Sequence, residues 1–117
     1  MKISICNELF QGWPIEKVFE YVAKLGYDGV EIAPFTLADS VTEISTKKRN
    51  ALRRAAEENG IEIVGLHWLL VKPEGLYINH PDEYIRIQTQ EYIEALIHFC
   101  ADIGGKVLVH GSPHQRT

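Results

Sequence analysis

The sequence predicts an α/β protein built on a parallel sheet, and three observations carry that expectation. Short β-branched runs alternate with longer stretches whose apolar residues recur every three or four positions. Each helix-like stretch stops at a glycine shortly before the next strand begins: Gly26 before Val30, Gly60 before Ile61 and Gly104 before Val107. Strands separated by helices connect through right-handed crossovers and lie parallel.

The first strand, β1, is read at Ile3 to Cys6, with Asn7 and Glu8 at its carboxyl end. Pro14 suits the first turn of helix α1, in which Ile15, Val18, Phe19 and Val22 share one face. Strand β2 covers Gly29 to Ala33 and is halted by Pro34. Ser45 or Thr46 caps helix α2, which passes through Leu52, Ala55 and Ala56 to Asn59-Gly60. Strand β3 runs from Ile61 to His67. The stretch from Trp68 to Asn79 is too long and too apolar for a plain connection, so it is expected to fold over something. Pro81 opens helix α3, whose Ile85, Tyr92, Leu96, Phe99 and Ile103 lie on one face, and strand β4 spans Val107 to Val109. The resulting order is β1-α1-β2-α2-β3-α3-β4. Such a sheet has two open edges and one face in need of cover. A doubly wound domain, half of an eight-stranded barrel of about 250 residues, or the pairing of two copies would each supply it.

An apolar fraction of 45% with 24% charged residues places the 117-residue chain among globular domains rather than disordered ones. Its net charge of -4 offers no long-range attraction for nucleic acid or an anionic membrane. The basic residues Lys47, Lys48, Arg49, Arg53 and Arg54 fall within one predicted helix and read as its solvated outer face. Cys6 and Cys100 stand far apart with no CxxC spacing, which argues against a zinc knuckle or disulfide framework and for a reduced, cytoplasmic compartment. The amino terminus is too short and too polar for a signal core or membrane span.

Polar groups gather at the carboxyl ends of the predicted strands, where parallel α/β folds bind ligands: Asn7 and Glu8, Glu31, His67, and His110. Glu31 lies between Val30 and Ile32, where an unpaired carboxylate is costly. It reads as a metal-adjacent carboxylate, an acceptor for a substrate hydroxyl, or a carboxylate paired with a neighbouring histidine for structural reasons. His67 and His110 can orient a sugar hydroxyl, move a proton near neutral pH, or bind zinc or manganese, and they are the two metal-ligand candidates. His80, near the start of α3, and His98, within it, read as structural or exposed. The segment Gly111 to Arg116, with Ser112 and Arg116, can present a hydroxyl and a guanidinium to an anion such as a sugar phosphate. It lacks the P-loop pattern, and no dinucleotide fingerprint follows β1. Trp13 and Trp68 are aromatic candidates for walling a sugar pocket, or for core or interface packing.

Four segments together resemble a known family: Tyr27-Asp28-Gly29-Val30-Glu31-Ile32; Gly65-Leu66-His67-Trp68; Pro73-Glu74-Gly75-Leu76 with Pro81-Asp82; and Gly104-Gly105-Lys106-Val107 with Gly111-Ser112-Pro113-His114-Gln115-Arg116. They are similar to the sugar phosphate isomerase/epimerases, xylose isomerase-like TIM barrels, over the whole chain but only the amino-terminal half of a typical member. The resemblance implies a partial (βα)8 TIM barrel, with residues 1–117 as one unit that continues into a missing half. It implies proton transfer through an enediolate on a sugar or sugar phosphate, with a divalent metal (Mn, Mg, Co or Zn) in the complete enzyme. The usual metal ligands come from later strands, so this chain alone is expected to be inactive and no catalytic residue is assigned in it. Its expected substrate contacts are Glu31, His67, Trp68, His110, Ser112 and Arg116. The alternative is a non-catalytic half-barrel module that closes with its own copy or a partner chain. The zinc apurinic endonuclease group has histidines resembling His67 and His110 as zinc ligands, but the acidic balance of this chain suits a sugar better than DNA.

Overall fold

The structure, a computed structural model, describes residues 2–109. Four strands, β1 (Ser4–Cys6), β2 (Gly29–Ile32), β3 (Glu62–Leu66) and β4 (Val107–Leu108), alternate with three helices, α1 (Ile15–Lys24), α2 (Thr46–Glu58) and α3 (Glu83–Asp102). The strands form one parallel sheet in the order β1-β2-β3-β4. Right-handed crossovers that always step in the same direction place every helix on the same face of the sheet. A doubly wound domain needs a reversal of strand order to put helices on both faces, and the described strands have none. The architecture is half of a TIM barrel.

Register and burial agree on which face is covered. Val30 and Ile32 of β2, Ile63 and Leu66 of β3, and the apolar faces of all three helices form one core cluster. It is held by Val18, Phe19 and Val22 from α1, Leu52 and Ala56 from α2, and Leu96, Phe99 and Ile103 from α3. An irregularity between Val30 and Glu31 brings Glu31 opposite Gly65 and Ile32 opposite Leu66. The opposite face carries Cys6, Glu31, Gly65 and Val107, with Val107 47% exposed. None of the described helices lies over this face.

Local signals end the helices as expected. Ser45 Oγ accepts the Lys48 N–H at 3.1 Å at the start of α2. Asp82, rather than Pro81, caps α3 by accepting the Tyr84 N–H at 2.9 Å. The segment after β3 does fold over the core: Leu69 and Leu70 are buried, Leu76 packs against the cluster, and Tyr77 N–H donates to Thr89 Oγ1 at 3.0 Å.

Arg49 departs from its expected place on a solvated face. Its side chain donates to the carbonyls of Ile44 (2.9 Å) and Val41 (2.7 Å), pairs with Asp102 at 2.8 Å, and lies 5.0 Å from the centre of the Phe99 ring. One guanidinium thereby joins α2, α3 and the loop between β2 and α2, and supplies donors to two carbonyls of that loop. Close approach also decides Gly65, since a Cβ there would lie far inside van der Waals contact distance of the Val107 carbonyl oxygen.

Arg49→Ala is expected to lower the unfolding free energy by about 2–4 kcal/mol in urea titration, whereas Asp102→Ala costs less than about 1 kcal/mol because that carboxylate is half exposed. Gly65→Ala should release β4: amide exchange at Lys106 and Val109, which donate to Val64 and Leu66, accelerates about tenfold or more. Burial raises Cys100 above the ordinary thiol value of 9.0 and Tyr92 above the ordinary phenol value of 10.0. The unfolded chain therefore loses these protons first, and stability that is fully present below about pH 9 declines as the pH rises further. Urea midpoints at about pH 8 and about pH 10.5 test the sign, and a higher midpoint at the alkaline value would contradict it.

Candidate functional site

The parity of β2 places Glu31 on the uncovered face at the carboxyl end of its strand. His67 follows directly after β3, where its N–H donates to the Ile32 carbonyl at 2.9 Å and continues the sheet pairing. The two side chains meet, with His67 Nδ1 lying 3.2 Å from Glu31 Oε2. An ionised carboxylate only accepts, so Nδ1 carries the proton and donates. Nε2 and Oε1 have no hydrogen-bond partner among the described residues. With side-chain exposures of 29% for Glu31 and 34% for His67, the pair is wet enough to stay polar and sheltered enough to recognise a ligand. Glu31 is thus neither deeply buried nor alone.

Cys6 completes the row, standing opposite Glu31 in the β1–β2 register. Its thiol is raised above 9.0 mainly by burial and further by the nearby Glu8 and Glu31 charges, against a backbone hydrogen bond at Glu8 that lowers it. The thiol is accordingly neutral at ordinary pH. In the sequence Cys6 informed only the redox compartment; its alternation with Ile5 was the available sign that it shares a face with Glu31.

Trp68 lies against the pair, its ring centroid 5.4 Å from that of His67 and tilted by 53°. Trp13 does not join them. It packs with Phe10 and Tyr21, each 5.3 Å away between ring centroids, and borders a cleft of about 640 Å³ that Asn7, Thr36 and Lys48 also line. Asn7, read as a polar group at the carboxyl end of β1, is engaged structurally: its Oδ1 accepts the Ala33 N–H at 2.7 Å and its Nδ2 donates to Thr36 Oγ1 at 2.8 Å. His80 accepts the Asp82 N–H near the start of α3, and His98 is exposed. His110, Ser112 and Arg116 lie outside the described residues.

A divalent metal does not fit the described residues by themselves. No group of three His, Cys, Asp or Glu side chains converges among them, and protein sites for zinc-like ions supply at least three ligands. Of the two metal-ligand candidates, His67 offers Nε2 alone, its Nδ1 being held by Glu31, and His110 lies outside the described residues.

The sequence model for the xylose isomerase-like TIM barrel matches residues 19–117. The chain belongs to that family. No curated protein matches it. Among solved structures, the xylose isomerase-like half barrel is similar to D-psicose 3-epimerase from Clostridium cellulolyticum with D-tagatose, at a TM-score of 0.75 and 23% identity, covering 92% of this chain and 36% of that one. The 3-keto-D-glucoside 4-epimerase from E. coli matches with a TM-score of 0.68 and 23% identity over 92% of this chain and 36% of its own. A probable 3-DHS dehydratase of petrobactin synthesis from Bacillus anthracis matches at 0.66 and 13% identity, over 92% and 37%. At these identities the likeness is one of fold, and the chain spans little more than a third of each neighbour.

Because the Glu31–His67 pair is partly exposed, Glu31→Gln and His67→Gln are each expected to change the unfolding free energy by less than about 1 kcal/mol. Chemical denaturation checks this; a loss above about 3 kcal/mol would mark the pair as a buried structural bridge instead.

Proposed function

We propose that residues 1–117 are a single unit, the amino-terminal half of a sugar or sugar-phosphate isomerase/epimerase, and that they contribute substrate contacts rather than the reacting groups. The observation that carries this reading is the Glu31–His67 pair, which holds a carboxylate and an imidazole at the carboxyl ends of neighbouring parallel strands. The unpaired Oε1 suits a sugar hydroxyl as donor. Neutral Nε2 suits a second hydroxyl as donor, and protonated Nε2 donates to a carbonyl or hydroxyl oxygen. Trp68 offers an apolar surface to the C–H side of the sugar.

His110, Ser112 and Arg116 are assigned as further substrate contacts, with the Arg116 guanidinium suited to a phosphate where the sugar carries one. The complete enzyme moves a proton at the carbon beside a carbonyl, through an enediolate, using acid and base groups from the other half. A divalent metal, Mn, Mg, Co or Zn, belongs to that complete barrel. Cys6 and Cys100 are free thiols, in keeping with a cytoplasmic protein. No described helix is long and apolar enough to cross a membrane. With Arg49 turned inward and Arg53 beside Glu57, the basic stretch of α2 is weaker than its sequence suggests, which disfavours an endonuclease.

A second reading rests on the sheet face that no described helix covers and on the outer edges of β1 and β4, which pair with no other described strand. A half-barrel module that closes with its own copy or a partner chain would cover both. The two readings are tested on the purified chain with ketoses and each metal. The enzyme-half reading expects no turnover alone, and sugar-dependent shifts of the His67 and Trp68 side-chain resonances once the complementary half is supplied. Turnover by the isolated chain overturns the assignment of the reacting groups to the other half, and shifts elsewhere overturn the substrate contacts. A compact dimer by light scattering supports the module.

A further inference from the structure

Backbone conformation singles out Trp68. Its φ of 58° lies in the left-handed region, and it is the only non-glycine residue with a positive φ among the described residues. Side-chain-bearing residues avoid that region because Cβ crowds the following carbonyl oxygen, and bulky ones avoid it most. Such conformations persist only where the flanking structure over-determines them, and they cluster at ligand sites. The flanks are fixed here. His67 is tied to Ile32 through its N–H, and Leu69 and Leu70 are each 5% exposed in the core.

Those constraints account for the turn but not for the tryptophan. A glycine would make the same turn without strain. The apolar core makes no use of the indole, since Trp68 is neither in the core cluster nor among the partly buried residues packed against it. The ring contact it does make is with the His67 imidazole, at 5.4 Å.

We infer that Trp68 is a positioning residue: its left-handed backbone sets the indole against the His67 ring and holds the imidazole with Nδ1 on Glu31 and Nε2 unpaired. Its purpose rests on the reading of the pair as substrate contacts, but its geometry is testable without any sugar. The experiment compares Trp68→Gly, Trp68→Ala and Trp68→Phe in the full 117-residue chain, read by thermal melting and by three-bond NMR couplings that report χ1 of His67.

Trp68→Gly is expected to melt about 4 °C or more above Trp68→Ala, because glycine accepts the left-handed backbone freely and alanine keeps the strain without the ring. In both variants His67 averages over rotamers. Trp68→Phe, with the backbone strain retained and an aromatic ring restored, returns His67 to one rotamer. A single His67 rotamer in Trp68→Gly overturns the inference, because the ring then positions nothing. Alanine melting at or above glycine overturns it as well. Since no readout involves substrate, failure here leaves the isomerase/epimerase reading standing, and failure of that reading leaves these results unchanged.

Discussion

The fold depends on the alternation of side chains along β2. Val30 and Ile32 are fully buried beneath the helices, and Glu31 between them faces the other way. Successive residues of a strand point to opposite faces, so a slip of one residue would press the carboxylate into the core and expose two large aliphatic groups. The irregularity beside β3 keeps this parity while matching Ile32 to Leu66. The same three residues therefore determine where the core lies and where a polar site can exist.

Strand order extends that constraint to the whole molecule. Because every crossover steps the same way, one face of the sheet receives the three described helices and the other receives none of them. Polar side chains divide accordingly. Those serving the covered side are bound to protein partners: Arg49 to two carbonyls and Asp102, and Asn7 to Ala33 and Thr36. Those on the uncovered side keep capacity in hand, as Oε1 of Glu31 and Nε2 of His67 do. Unspent hydrogen-bonding capacity at the carboxyl end of a parallel sheet is what a polyhydroxy substrate requires.

Legibility in the sequence followed the range of the interaction. Helix-end glycines were readable because the left-handed C-terminal turn is a local demand: Gly26, Gly60 and Gly104 all have positive φ. The apolar stripe of α3 was readable because burial every third or fourth residue needs no knowledge of its partner. Arg49 was not. It sits in a basic run and its neighbours Lys47 and Lys48 are exposed, but its own partners include Asp102, 53 residues away. Glu31 was legible as an anomaly, and pairing with a neighbouring histidine was one of its readings, but the run Val30-Glu31-Ile32 does not say which histidine.

The sequence by itself determined the alternation of strands and helices, the helix ends, the faces that enter the core and the residue types available at the strand ends. Each of these follows from backbone sterics or periodicity within about one or two turns of chain. Tertiary structure decided that Glu31 meets His67 across 36 residues, that Cys6 stands beside Glu31, that Asn7 is tied to Ala33 and Thr36, and that Trp68 takes a left-handed backbone. Those outcomes depend on strand register and on which groups remain unpaired once the helices have docked, and both are properties of the assembled sheet.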